Sequence, residues 1–181
     1  HLFLVGTGLI GKTLISQLIG QERYLAKYKG LKIKLVGLMN SRKQCIQETG
    51  IELSEALDRL EKNGEASDLN SFVSQVKNLN LPNAIFADCT ANKEIYTHYL
   101  GLFKSNISVV TPNKVANSGP YNVYAELHQT ALQKGVNVVK GIPQAANMIG
   151  KIPSYASAMG EQALIGGATS ALTTPTDEGR G

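Results

Sequence analysis

A glycine-rich turn near the start of the chain constrains the possible fold more than any other feature of the sequence. Six residues have the spacing GxGxxG: Gly6, Thr7, Gly8, Leu9, Ile10 and Gly11. The apolar run 2–5 precedes them directly, and apolar residues recur at helical spacing from residue 9 to residue 19. A strand that passes through such a turn into a helix is the setting in which this motif binds a dinucleotide, whereas a bare tight turn is the alternative.

Each glycine of the turn has its own expected task. Gly6 permits the tight turn, Gly8 lets the backbone approach a pyrophosphate, and Gly11 allows the helix to pack closely on the strand. The free N–H groups at the helix start would then face the phosphate oxygens. We therefore predict that the phosphates of a dinucleotide bind to residues 6–11.

Strands and helices alternate along the first 140 residues. Apolar runs predict strands at residues 2–5, 31–39, 84–88, 107–110 and 136–139. Helical spacing and capping residues predict a helix from residue 9 and others at residues 55–62, 69–78, 93–103 and 121–134, with Asp68 as the cap of the third. Each parallel connection needs a crossover that packs on a face of the sheet. The pattern therefore predicts a Rossmann-like, doubly wound, mostly parallel sheet with helices on both faces.

The regular alternation ends near residue 140. We therefore predict a dinucleotide-binding domain over residues 1–140. Residues 141–181 are rich in Gly, Ala, Ser and Thr and show no strong period, so they are predicted as a tail or an incomplete second region. The chain begins at His1, inside an apolar run and without a signal-peptide profile, so we expect a fragment of a longer protein.

Composition excludes several classes of protein. The chain is 43% hydrophobic and 18% charged with two cysteines, which is unlike collagen, a disulfide scaffold or a charge-rich disordered chain. No apolar run approaches the roughly 20 residues that a membrane-spanning helix needs, so we expect no membrane association. Cys45 and Cys89 lack the spacing of metal ligands or of a disulfide framework, which predicts no metal and favours the reducing cytoplasm.

The net charge of +4 raises the possibility of a polyanionic partner. Basic residues gather between residues 27 and 43, and residues 48–68 are acidic, but neither stretch has the interleaved aromatic residues of a base-stacking surface. We therefore expect no nucleic-acid partner. A basic nucleic-acid module stays the least favoured alternative, and it predicts salt-dependent binding to DNA or RNA.

The residues after the second predicted strand indicate which dinucleotide binds. An acidic residue commonly holds the ribose of NAD at this position, but the strand continues into Asn40, Ser41, Arg42 and Lys43. Two cations beside hydroxyl and amide donors could hold a 2′-phosphate. The sequence thus favours NADP, with NAD possible, and the alternative is that Arg42 and Lys43 are a solvated pair.

Two further strand ends carry a resemblance to a known family. Residues 87–91 read Ala-Asp-Cys-Thr-Ala, and residues 109–114 read Val-Val-Thr-Pro-Asn-Lys. Together with residues 5–11 and 39–41, they resemble the NAD(P)-binding domain of homoserine dehydrogenase, most of all that of bifunctional aspartokinase/homoserine dehydrogenases, over about residues 2–139. The resemblance implies NAD(P)-dependent interconversion of aspartate 4-semialdehyde and homoserine, in threonine and methionine biosynthesis, by an enzyme that is usually a homo-oligomer.

The resemblance also implies roles for individual residues. It places Gly8, Leu9 and Ile10 at the pyrophosphate, residues 40–43 at the adenosine end, and Thr90 and Ala91 at the nicotinamide ribose. Lys114 would lie near the reacting centre, and Asn113 would support the cofactor site through its backbone and its contacts with neighbouring residues. Lys114 is the catalytic candidate, because an ammonium group stabilises the alkoxide that hydride delivery to an aldehyde creates. The alternative for Lys114 is a solvent-facing lysine after a strand.

The chain departs from the family pattern beyond its sheet. The substrate and dimerisation domain of the family supplies an acidic residue and a second lysine, and residues 141–181 do not match that continuation. We therefore expect the fragment to bind cofactor but to lack turnover by itself. A nucleotide-sensing regulatory module is the alternative. Cys89 is expected to pack as a small apolar residue, and Asp88 to form hydrogen bonds at its strand end.

Overall fold

The computed structural model describes residues 1–113 and 121–140. The strands are β1 (Leu2–Val5), β2 (Leu35–Met39), β3 (Lys43–Ile51), β4 (Glu65–Ala66), β5 (Ile85–Asp88), β6 (Ser108–Thr111) and β7 (Val138–Lys140). The α-helices are α1 (Leu9–Lys29), α2 (Ala56–Asn63), α3 (Leu69–Leu79), α4 (Tyr99–Lys104) and α5 (Tyr121–Lys134). Short 3-10 turns at Leu53–Glu55 and Ile95–His98 precede α2 and α4. Lys114 and residues 141–181 lie outside the described residues, so the predictions made for them stay predictions.

The strands of the described residues form one sheet in the order β4-β3-β2-β1-β5-β6-β7. The strands from β2 to β7 in that order are mutually parallel, whereas β3 and β4 are antiparallel to their neighbours. From β1 the chain forms β2, β3 and β4 on one side, and it then crosses over to form β5, β6 and β7 on the other side of β1. Ligands of such sheets bind where the strand order reverses, at the carboxyl ends of β1 and β5. The predicted Rossmann-like, mostly parallel fold is confirmed.

Helices cover both faces of this sheet. Phe3 and Val5 belong to a buried cluster with Phe72 of α3 and Phe103 of α4. Alternate strand residues point to opposite faces, so the buried Leu2 and Leu4 face the other side. The buried residues of α1 and α2 lie outside the cluster and cover that second face, among them Ile15, Leu18 and Leu60. Both faces of the sheet are therefore buried, which explains why the sequences of its parallel strands are almost continuously apolar.

The antiparallel extension β3–β4 is absent from the sequence prediction. The predicted second strand ran over residues 31–39, with no strand before the helix at residue 55. The side chain of Asn40 instead closes a tight turn, because its Oδ1 accepts hydrogen bonds from the N–H groups of Arg42 at 2.8 Å and Lys43 at 2.7 Å. β3 then runs back along β2. Its largely polar sequence lacks the apolar run by which the other strands were recognised.

The remaining elements differ from the predictions mainly in their bounds. The predicted helix 93–103 is divided into the 3-10 turn Ile95–His98 and α4. No helix within residues 1–113 and 121–140 is long and apolar enough to cross a membrane.

Asp68 caps α3 as predicted, and its removal has a measurable expected cost. Its Oδ1 accepts hydrogen bonds from the N–H groups of Asn70 at 2.9 Å and Ser71 at 3.2 Å. We expect Asp68→Ala to lower the free energy of unfolding by about 1 kcal/mol in urea denaturation. The matched control is Asp58→Ala, which removes an exposed ion pair with Lys62 and is expected to cost less than about 0.5 kcal/mol. Equal losses in the two variants would contradict the capping role.

Candidate functional site

The predicted site residues converge at one edge of the sheet. The glycine-rich turn follows β1, residues 40–43 follow β2, residues 89–92 follow β5, and residues 112–113 follow β6. These four strands are consecutive neighbours in the sheet. The structure therefore brings together every predicted site residue among those it describes, since parallel strands end at the same edge.

The turn after β1 leaves an open surface at the start of α1. Gly8 is the N-cap, with φ at −74°, and no side chain caps this end of the helix. The N–H groups that precede Lys12 have no carbonyl of the helix to bond, so they are available to an anion. A β-carbon added to Gly8 would have nothing within 4 Å. Leu9 and Ile10 beside it are 85% and 52% exposed. The turn thus has both donors and space for a phosphate group.

Gly6 and Gly11 serve a different purpose from Gly8. Gly6 has a φ of +94°, and a β-carbon there would lie 2.8 Å from the carbonyl of Cys89 and 2.9 Å from Cγ2 of Thr90. A β-carbon on Gly11 would overlap the carbonyl oxygen of Gly6. These two glycines allow close packing of the turn, of α1 and of the loop after β5. Thr7 lies half-buried between them.

An acidic side chain, Glu61 of α2, lies against the turn after β2. Its Oε1 is 3.4 Å from Nδ2 of Asn40, which donates to it, and 3.6 Å from Nη2 of Arg42. Lys43 Nζ donates to the carbonyl oxygen of Glu61, and Ser41 is exposed. The sequence shows no acid directly after β2 because Glu61 lies 18 residues after Lys43 along the chain. The Arg42 side chain stays 78% exposed, so its ion pair is weak and easily exchanged for another anion.

Asp88, at the end of β5, is the centre of a buried hydrogen-bond network. The side chain is fully buried. Its Oδ1 accepts from the N–H of Thr90 at 2.8 Å and from the Thr90 hydroxyl at 2.7 Å. Its Oδ2 accepts from the Tyr99 hydroxyl at 2.5 Å, the Thr111 hydroxyl at 3.2 Å and Nδ2 of Asn113 at 3.4 Å. The expectation that Asp88 forms hydrogen bonds at its strand end is confirmed.

Sequence reasoning missed two members of this network, Tyr99 and Thr111. Thr111 ends β6 beside the end of β5, so the parallel register is a signal that could have found it. Tyr99 is contributed by α4, and no sequence period points to its contact with Asp88. Ala91, by contrast, is exposed at the rim of the site.

The electrostatics of the site keep its weak acids protonated. Burial, and then the charge of Asp88, raise the pKa of the Tyr99 hydroxyl well above its ordinary value, so Tyr99 stays a donor at neutral pH. Burial and the same carboxylate raise the pKa of Cys89 to about 12. A thiol that is not ionised is a poor nucleophile, which agrees with the expected packing role of Cys89.

Comparison with known proteins identifies the family. Residues 6–140 match the family model described as "Homoserine dehydrogenase, NAD binding domain". This chain belongs to the homoserine dehydrogenase family. The resemblance that the strand ends suggested is therefore confirmed. The matched range includes the glycine-rich turn, the turn after β2 and the Asp88 network.

Curated relatives of this chain include bifunctional proteins. The bifunctional aspartokinase/homoserine dehydrogenase of Daucus carota, described as chloroplastic, is 33% identical over 190 aligned positions, which cover 97% of this chain and 20% of the relative. That of Haemophilus influenzae is 34% identical over 153 positions, which cover 81% of this chain and 19% of the relative. The chain thus spans about a fifth of the length of these relatives.

Solved homoserine dehydrogenases share the fold. The enzyme from Thermoplasma acidophilum superposes with a TM-score of 0.59 at 20% identity, covering 77% of this chain and 42% of that one. A hyperthermophilic archaeal homoserine dehydrogenase in complex with NADPH gives a TM-score of 0.61 at 21% identity, with the same coverage.

Proposed function

We propose that this chain is the cofactor-binding part of a homoserine dehydrogenase. The complete enzyme would transfer a hydride between NAD(P)H and aspartate 4-semialdehyde or homoserine, in threonine and methionine biosynthesis. The observation that carries the proposal is the uncapped start of α1 behind Gly8, where donors and open space coincide. Its support is family membership together with the archaeal relative that is described in complex with NADPH.

The residues at the sheet edge fit the chemistry of a dinucleotide. The backbone of Gly8, Leu9 and Ile10 would hold the pyrophosphate, and the exposed guanidinium of Arg42 would hold a 2′-phosphate. Thr90 and Ala91 would contact the nicotinamide ribose. When bound, the nicotinamide supplies or accepts the hydride. Lys114, outside the described residues, is proposed as the cation that stabilises the substrate oxygen.

The wider organisation of the enzyme is part of the same proposal. Residues 1–140 would form the cofactor domain, and residues 141–181 would begin the substrate and dimerisation region of a homo-oligomer. A small-molecule substrate follows from this assignment. A cytoplasmic location stays a prediction, which the two free cysteines support. The plant relatives are described as chloroplastic, so fractionation of the source cells is the direct test.

Calorimetric titration of the 181-residue chain with NADPH, and separately with NADH, tests the proposal. We expect both dinucleotides to bind, because both carry the pyrophosphate. We expect NADPH to bind more tightly, because only NADPH carries the 2′-phosphate. A chain that binds neither nucleotide at millimolar concentration would contradict the proposed function. Equal affinities for NADPH and NADH would mean that Arg42 and Lys43 do not bind the 2′-phosphate.

Arg42→Ala tests the 2′-phosphate assignment separately from the dinucleotide assignment. We expect it to weaken NADPH binding about tenfold and to leave NADH binding unchanged, since it removes one charge-assisted contact. The matched control is Arg23→Ala, which removes an exposed arginine from the middle of α1. If Arg42→Ala weakened the binding of both nucleotides equally, Arg42 would not be reading the 2′-phosphate.

A further inference from the structure

We propose that Asp88 is a positioning residue that joins the loop after β5 to the loop after β6 and thereby holds the nicotinamide half of the cofactor site in shape. This inference rests on the proposed function, because it assumes that a dinucleotide occupies this edge of the sheet. Asp88 itself is fully buried, so it acts through its neighbours and not by contact with the cofactor.

The two oxygens of Asp88 serve different parts of the chain. Among the residues that the structure describes, Oδ1 accepts hydrogen bonds from Thr90, through both its N–H and its hydroxyl group. Oδ2 holds Thr111 and Asn113 at the end of β6 and Tyr99 of α4. One carboxylate therefore bridges the loop after β5 and the loop after β6. A second bond between the same loops runs from Nδ2 of Asn113 to the carbonyl oxygen of Asn92, at 2.7 Å.

Thr90 and its neighbour Cys89 also contact the phosphate-binding turn. The space beside Gly6 is filled by the Cys89 carbonyl and by Cγ2 of Thr90, each within 2.9 Å of where a β-carbon would lie. The N–H of Cys89 also donates to the carbonyl oxygen of Val5, at 2.8 Å. A shift of Thr90 would therefore disturb the nicotinamide side directly, and it would reach the turn 6–11 through these contacts of residues 89 and 90.

The chemistry of the network requires a carboxylate rather than an amide. All five groups around Asp88 donate to it, and two of them, the N–H of Thr90 and Nδ2 of Asn113, can only donate. An asparagine would offer one oxygen and one NH2 group, so a donor would face a donor on one side. Burial of a charge is costly unless hydrogen bonds satisfy it, and the donors from both loops and from α4 satisfy this carboxylate. The same hydrogen bonds constrain the geometry of both loops.

Asp88→Asn separates this positioning role from general stability. The test compares how this variant binds two ligands. One is NADPH, and the other is adenosine 2′,5′-bisphosphate, which has the adenosine half of NADPH but lacks the nicotinamide half. In calorimetry with the 181-residue chain, we expect the Kd for NADPH to rise about tenfold and the Kd for the bisphosphate to change less than about twofold. Thr111→Val is a second variant that keeps the side-chain shape, and we expect it to weaken NADPH binding about threefold.

Two controls match the substitutions. Val76→Ala removes two buried methyl groups from α3 and none of the hydrogen bonds to Asp88, so it should lower Tm while both Kd values stay unchanged. Tyr96→Phe removes a hydroxyl from the segment that precedes α4 without touching Asp88, and should change neither Kd.

The outcomes are distinguishable. If wild type binds NADPH but Asp88→Asn binds both ligands as wild type does, or loses both to the same degree, the positioning role is overturned and the proposed function stands. If Asp88→Asn does not fold, Thr111→Val decides, and an unchanged Kd for NADPH in that variant overturns the inference. If wild type binds neither dinucleotide, the proposed function fails and this inference fails with it.

Discussion

Gly8→Val is expected to abolish NADPH binding while the chain stays folded. A β-carbon at Gly8 meets no protein atom within 4 Å, and the φ of −74° is ordinary for any residue, so valine fits the apo chain. Its side chain would fill the space where the pyrophosphate approaches the backbone. We expect affinity for NADPH to fall by about 100-fold or more in calorimetry. The free energy of unfolding should fall by about 1 kcal/mol or less, because valine is a poorer N-cap than glycine.

The same helix provides a control for this substitution. Gly20 also lies in α1 with nothing within 4 Å of its added β-carbon, but it is about three turns beyond the start of the helix. Gly20→Val should therefore leave NADPH binding unchanged. Retention of wild-type affinity by Gly8→Val would mean that the start of α1 is not the phosphate site.

Gly11→Ala is expected to act mainly on stability, in contrast to Gly8→Val, which acts mainly on NADPH binding. The added β-carbon would overlap the carbonyl oxygen of Gly6, which is backbone and has no rotamer by which to move away. Overpacking of this kind costs about 3 kcal/mol or more when the neighbouring backbone cannot move away. Gly6 is fixed in this way, because its N–H donates to the carbonyl oxygen of Met39 at 2.8 Å. Urea denaturation followed by circular dichroism measures the loss.

The control for Gly11→Ala is the same change at Gly20. Gly20→Ala adds a methyl group to an open position of the same helix and is expected to raise the free energy of unfolding by about 0.5–1 kcal/mol. If Gly11→Ala were as stable as wild type, α1 would have to begin farther from the turn than the structure shows. Together, the substitutions at Gly8 and Gly11 separate the binding role from the packing role within one motif.

The sequence predicted those parts of the fold that depend on neighbours along the chain. The order of strands and helices follows from hydrophobic period, the cap at Asp68 from a side chain that reaches the next turn, and the roles of Gly6 and Gly11 from a motif six residues long. The polar edge strand β3 was missed because one neighbouring strand and a short turn at Asn40 create it, with little apolar patterning of its own.

The site divides in the same way between local and long-range determinants. By itself, the sequence determined that a glycine-rich turn follows β1 and that polar residues follow β2, β5 and β6, because turn chemistry and strand ends are local properties. Only the tertiary structure decided that Glu61 faces Arg42 and that Tyr99, Thr111 and Asn113 converge on Asp88. The physical reason is that these partners lie between 11 and 25 residues apart along the chain, and only the order of the strands and the packing of helices on the sheet bring them into contact.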